Sequence, residues 1–283
     1  MTTRLPPRPP GRPSKLITSV ANPVVLETRR LERERKERER RGVYLAWGLH
    51  LAGEALSAGA GIARALISPD DMAGPEAIDL MTRIAACGTP IVQVTSKVLD
   101  AIAMGAGDQG VLLVIRRPAD TLDTVIASGT TLVLAAHGVQ DPGNLGSMAR
   151  SALACGAGAL VALEGCADPF ASKVVRSAMG AHVRLPVLPG KTAPALAALR
   201  RGGFVIVAAD PNDGIPPDAV NLNRKSVLLL GGEGSGLPAS ILEAASERVR
   251  IPMTPVASSL NVGAAAAILL YEAQRQRGFP FGR

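Results

Sequence analysis

Residues 227–237 read VLLLGGEGSGL, a short apolar run that stops abruptly at a loop dominated by glycine. Four apolar residues bounded by a turn signal fit a fully buried strand, and glycines at 231, 232, 234 and 236 imply positive φ angles or close approach of a ligand to the backbone. Two familiar phosphate-binding loops do not fit. Gly231 and Gly236 have the spacing of the P-loop glycines, but Leu237 stands where the phosphate-binding lysine is required, and no G-x-G-x-x-G can be aligned. Taken alone, the loop leaves a plain structural turn open.

The same pattern recurs on either side of it. Thr131–Ala136 is an apolar run that leads into HGVQDPGNLGSMAR (137–150), with helical spacing over Leu145–Cys155. Ala159–Leu163 precedes a helical stretch at Ala171–Met179. Val205–Ala209 and Val227–Leu230 are further buried runs, and a last helix is expected from about Leu260 to Arg275. Apolar runs alternating with helices predict an α/β fold on a parallel sheet covered on both faces. Ligands of such sheets bind beyond the carboxyl ends of the strands, which directs attention to the loops after Ala136, Leu163, Leu230 and Ile251.

Ahead of this half, strands are expected at Val43–Leu45, Ala63–Ile67, Pro90–Val94 and Gln109–Ile115, with helices at Leu49–Ala58 and Glu76–Cys87, a smaller α/β unit. The organisation expected is a basic arm (1–15), a first domain (16–116), a linker (117–127) and a second domain (128–283). The arm, MTTRLPPRPPGRPSK, holds prolines and positive charge and cannot bury a core. Arg29–Arg41, RRLERERKERERR, carries eight basic and four acidic residues. Glu32/Lys36, Glu34/Arg38 and Glu37/Arg41 sit at i,i+4 with the acid first, which predicts one solvated helix. Either a salt-bridged surface helix or a helix laid along an RNA backbone satisfies that pattern.

The net charge of +7 favours a polyanionic partner, with nucleic acid the natural candidate, although basic chains are common. The 47% hydrophobic content excludes a disordered chain. No uncharged apolar run of about 18 residues is present and the first residues lack an apolar signal core, so no membrane association and a cytoplasmic location are expected. Cys87, Cys155 and Cys166 stand far apart, as do His50, His137 and His182, so no metal site is indicated.

Taken in order, 137–150, 231–237 and 251–262 (IPMTPVASSLNV) resemble the three motifs of the SpoU/TrmH-like RNA 2′-O-ribose methyltransferases of the SPOUT superfamily. The likeness extends over residues 17–275 and takes in Lys173, Arg176, Ser177 and Gly180 of DPFASKVVRSAMGA. The front end, with Ile17-Thr18-Ser19, Asn22-Pro23 and Gly48, resembles the family's small ribosomal-protein-like RNA-binding domain, apart from Trp47, where an acidic residue is usual.

The resemblance implies a sheet domain with a deep trefoil knot, S-adenosylmethionine as cofactor, methylation of a ribose 2′-hydroxyl in structured RNA with large-subunit ribosomal RNA favoured, and a homodimer whose active site is completed across the interface. It places Gly231, Gly232, Ile251, Met253 and Leu260 around the cofactor and gives catalytic roles to Asn144, Arg150, Glu233, Ser259 and Asn261. A ribose hydroxyl is a poor nucleophile at neutral pH, so the site must help remove its proton and hold the reacting atoms in line. Guanidinium stays protonated in proteins, which favours Arg150 as an electrostatic stabiliser over a general base. Purely structural roles stay open one by one: Asn144 as a helix cap, Glu233 as an acceptor for loop amides, Ser259 and Asn261 as the start of the last helix. His137 is expected only to end a strand.

Pro255 and Val256 replace frequent glycines of the family, and Ser258 stands where Glu is common, departures that bear on cofactor affinity. The rival readings are a non-catalytic RNA-binding or ribosome-assembly protein on the same fold, a transfer RNA 2′-O-methyltransferase, and an enzyme methylating a base atom.

Overall fold

The computed structural model describes residues 16–103, 110–234, 236–256 and 259–280; the basic arm 1–15, Gln109, Ser235 and Ser258 lie outside the described residues. The chain forms two compact units, Met1–Arg117 and Pro118–Arg283.

The first unit runs α1 (Pro23–Arg33), α2 (Arg35–Arg41), β1 (Val43–Trp47), α3 (Leu49–Ser57), β2 (Ile62–Ile67), α4 (Pro75–Ala86), β3 (Ile91–Gln93), α5 (Ser96–Ala103) and β4 (Val111–Arg116). Its sheet has the order β1-β4-β2-β3. β4 is antiparallel to both β1 and β2, while β2 and β3 are parallel. The core is built from Leu45, Trp47, Leu66 and Leu112 of the sheet with Leu31 and Leu99 of the helices.

The single solvated helix expected over Arg29–Arg41 is corrected here. Glu34 adopts an extended conformation (φ −111°, ψ 110°) and separates α1 from α2. Arg38 is buried, and its Nη1 donates to the carbonyls of Leu31 at 2.5 Å and Glu32 at 2.9 Å. A guanidinium thus takes up α1 carbonyls left without intrahelical partners at the break. The expected Glu37–Arg41 pair forms, at 2.5 Å. Glu32 accepts from Trp47 Nε1 at 3.1 Å, which satisfies the indole of this buried residue.

The second unit comprises α6 (Leu122–Ala127), β5 (Leu132–His137), α7 (Pro142–Ala154), β6 (Ala159–Ala162), α8 (Ser172–Ser177), a 3₁₀ turn (Ala181–Val183), β7 (Val187–Pro189), α9 (Thr192–Arg201), β8 (Val205–Ala209), β9 (Ser226–Gly231), α10 (Ala239–Ala244), β10 (Glu247–Val249) and α11 (Val262–Gln276). The six strands pair in parallel in the order β10-β8-β9-β5-β6-β7. The chain moves outward from β5 to β7, then returns to the other side of β5, so β5 and β9 flank the point where strand order reverses. Their carboxyl ends form the crevice where such sheets take ligands.

The stretch 117–127, expected to link two domains, contains α6. Thr121 and Thr124 close a capping box at its start, and Val125 is buried in the core of the second unit. α11 packs on α7 and β9, and its end is tied down. Gln276 Nε2 donates to the Val220 carbonyl at 2.9 Å, and Arg277 donates to the carbonyls of Leu222 at 2.9 Å and Arg224 at 2.7 Å. Among the described residues no helix is long and apolar enough to cross a membrane.

Candidate active site

Three loops meet at the carboxyl ends of β5, β9 and β10. After β5, Asp141 caps α7, its Oδ1 accepting the Asn144 N–H at 2.8 Å, and Pro142 takes the first helical position, where no N–H is needed. With Asp141 as the cap, the Asn144 side chain is available for something else. Its Nδ2 donates to Glu233 Oε1 at 2.6 Å, in the loop after β9. Asn261 caps α11 by accepting from the N–H groups of Gly263 at 2.9 Å and Ala264 at 3.2 Å. Its Nδ2 donates both to Asn144 Oδ1 at 2.9 Å and to Glu233 Oε1 at 2.9 Å. The three side chains close a triangle that uses both hydrogens of the Asn261 amide.

Glycine lets these loops come together. A Cβ added to Gly232 would lie 2.1 Å from the Gly138 carbonyl oxygen, and one added to Gly231 would lie 2.2 Å from the Gly236 carbonyl carbon. Neither position has room for any side chain. The turn is closed by Gly236 N–H donating to Gly232 O at 3.0 Å.

Beside the triangle opens a cleft of about 440 Å³, and Gly231, Gly232, Ile251, Met253 and Leu260, expected to surround a cofactor, all line it. Glu233 and Ser259 line it too, so the structure gathers Asn144, Glu233, Ser259 and Asn261 at one place. Arg150 is elsewhere. It lies on α7 six residues beyond Asn144, which is about 9 Å along the axis and roughly 240° around it, and it is exposed, with no side-chain hydrogen bond or ion pair among the described residues. Ser177 of α8 packs against Gly146 of α7, where an added Cβ would stand 2.5 Å from Ser177 Cβ, so its place in the sequence pattern is accounted for by helix packing. Lys173 is exposed and Arg176 half-buried on the same helix. Val256 is almost fully exposed.

The cleft also has residues that the sequence reading passed over. Asp210 and Asn212, just past β8, line it. The available signal was an aspartate immediately following the apolar run VIVAA. Among the described residues, Asp210 and Glu233 are the charged side chains of the lining, and no lysine, arginine or histidine joins them. Apolar walls (Leu230, Leu237, Met253, Leu260), backbone exposed at glycines and negative charge suit a nucleoside with a cationic substituent, the make-up of S-adenosylmethionine.

The comparisons with known proteins agree. The family model for the SpoU rRNA Methylase family matches residues 131–271, and that for the MRM3-like substrate binding domain matches residues 22–113. The chain is 32% identical over 257 residues to the 23S rRNA (guanosine(2553)-2′-O)-methyltransferase RlmP of Bacillus subtilis, covering 91% of this chain and 98% of that protein. It is similar to the crystal structure of the AdoMet-bound rRNA methyltransferase from Sinorhizobium meliloti, at 29% identity and a TM-score of 0.82 over 93% of this chain and 98% of that one. The SpoU methyltransferase AviRb from Streptomyces viridochromogenes, in complex with AdoMet, matches at 28% identity and a TM-score of 0.79 over 90% and 98% of the two chains.

Proposed function

Because this chain belongs to the SpoU rRNA methylase family, we propose that it methylates a ribose 2′-hydroxyl of large-subunit ribosomal RNA, with S-adenosylmethionine as donor. The observation that carries the reading is the Asn144–Glu233–Asn261 triangle set beside a glycine-walled cleft.

When bound, the cofactor supplies an electrophilic methyl group on a sulfonium. The chain's own residues do the rest. Gly231 and Gly232 offer backbone to the cleft, and Ile251, Met253 and Leu260 supply apolar walls and exclude water. The triangle holds the three loops in one geometry, which keeps donor and acceptor in line. Asn144, Glu233, Ser259 and Asn261 orient the loops and the target nucleotide. Arg150 stabilises the negative charge that develops on the substrate oxygen as the hydroxyl proton passes to water, or clamps the neighbouring phosphate.

Arg150 has no part in the cleft of its own chain among the described residues, which supports the homodimer of this reading, in which the arginine of one subunit completes the site of the other. The deep knot belongs to the same proposal, as does a cytoplasmic location. Residues 16–116 serve to bind the RNA, through a unit rich in arginine on α1 and α2, with 117–127 as the joining segment and 128–283 as the methyltransferase domain.

The test is transfer of labelled methyl from S-adenosylmethionine into ribosomal RNA from cells lacking this protein, with the product mapped. Label recovered as 2′-O-methylribose in large-subunit RNA and lost with Arg150→Ala is expected. Cofactor binding without transfer to any RNA would favour the assembly-factor reading.

A further inference from the structure

Asp210 stands at the carboxyl end of β8, next to the strand that carries the glycine loop. The β8–β9 register pairs Ala208 with Leu229, which sets Asp210 level with the start of that loop. The residue is 6% exposed and lines the cleft. Its Oδ1 accepts the Asn212 N–H at 2.9 Å. Its Oδ2 forms an ion pair with Arg248 Nη1 at 3.8 Å, too long for a hydrogen bond, while Arg248 donates to Asp213 Oδ2 at 3.0 Å. A buried carboxylate is costly unless its lone pairs are used. Oδ2 therefore keeps accepting capacity at the edge of a cleft whose other acid, Glu233, already takes two amide N–H groups on one oxygen.

The arrangement has a counterpart in dinucleotide-binding sheets, where a glycine-rich turn follows one strand and an acid near the end of a neighbouring strand accepts from a ribose hydroxyl. The chemistry is general: vicinal hydroxyls are donors in want of an acceptor, and a carboxylate oxygen accepts about twice as strongly as a neutral acceptor. Apolar walls hold the base without discriminating between ribose and deoxyribose.

We propose that Asp210 accepts a hydrogen bond from a ribose hydroxyl of the cofactor's adenosine and so makes the cleft selective for the ribonucleoside. This rests on the methyl-donor reading above. Asp210 then acts in recognition of the donor and takes no part in the transfer itself.

The test is calorimetric titration of S-adenosylhomocysteine, its 2′-deoxy and 3′-deoxy analogues, and S-adenosylmethionine into the full-length wild-type protein and Asp210→Asn. Asparagine keeps an oxygen for the Asn212 N–H, so the turn is preserved, and a melting curve verifies the fold. Loss of one of the two hydroxyls is expected to weaken binding to the wild type about 10-fold or more, and to cost Asp210→Asn less than about 3-fold. Equal affinity of the wild type for all three homocysteine ligands overturns the proposal without use of the variant. So does a deoxy penalty of the same size in both proteins, or a variant that loses affinity for the sulfonium compound alone, which would mark Asp210 as a reader of charge. A wild type that binds neither S-adenosyl compound removes the underlying donor reading as well, a result distinct from binding that ignores the hydroxyls.

Discussion

Asn261 donates to Glu233 across 2.9 Å with the same amide nitrogen that reaches Asn144, so the cap of the last helix and the loop after β9 are held by one group. Replacing Glu233 with Ala leaves both asparagine amides without their shared acceptor. Turnover is expected to fall by ~100-fold, the scale of a misplacement of about 1 Å in a positioned site. Asn144→Ala should cost about as much, and the double variant little more than either alone, because the members act as a unit. Single-turnover methyl transfer on saturating RNA measures all three, and simple additivity would mean the triangle is not one device.

Arg150 is exposed, so Arg150→Ala should leave stability within about 0.5 kcal/mol of the wild type while lowering turnover by ~100-fold or more. If its guanidinium serves the partner's cleft, mixing Arg150→Ala with Glu233→Ala protein restores activity, since each mixed dimer holds one intact site. Activity that stays absent after subunit exchange would assign Arg150 to its own chain's cleft. Arg150→Lys tests the need for the planar fork: near-normal turnover across pH would argue against it.

Gly232→Ala places a methyl group 2.1 Å from the Gly138 oxygen, a backbone atom that cannot step aside. The expected outcome is about 1–3 kcal/mol of lost stability together with loss of cofactor binding, read by urea unfolding and by titration.

Arg38→Met removes the donor for two carbonyls at the α1–α2 break. Loss of about 1–3 kcal/mol is expected, confined to the first unit, with cofactor titration unchanged.

His182 is fully buried, with Nε2 2.7 Å from the Pro169 carbonyl, and burial pushes its pKa from the ordinary 6.5 down to about 4. The unfolded chain therefore binds the proton more readily. Stability is expected to be intact above about pH 6.5 and to fall as pH drops toward 4. Urea midpoints measured across that window should slope less steeply in His182→Gln; an unchanged slope would place the acid sensitivity elsewhere.

What the sequence made legible follows from how local its signals are. β5, β8 and β9 are uninterrupted apolar runs ended by loops, and α11 repeats apolar residues at helical spacing, so each could be seen in a short window. β7 (VLP) and β10 (ERV) are three residues long and leave no periodicity to detect. The break at Glu34 was hidden because the i,i+4 acid-base spacing continues through it, and Arg38 is buried for a reason visible only once the carbonyls of α1 are in place. In the site, the glycine loop could be picked out by its composition, and the two asparagines through the resemblance of their segments to the family's motifs. Asp210 could not, because its neighbourhood depends on β8 pairing with β9 and β10, a non-local choice.

The members of the triangle are 89, 117 and 28 residues apart along the chain. Contacts of such separation form late, after their loops have closed. A nascent chain can complete its first unit, Met1–Arg117, well before residue 261 has emerged from the ribosome, yet it cannot assemble the triangle until that residue has capped α11. The spacing thus makes the site a late product of synthesis, since its last member is supplied only by the start of the final helix.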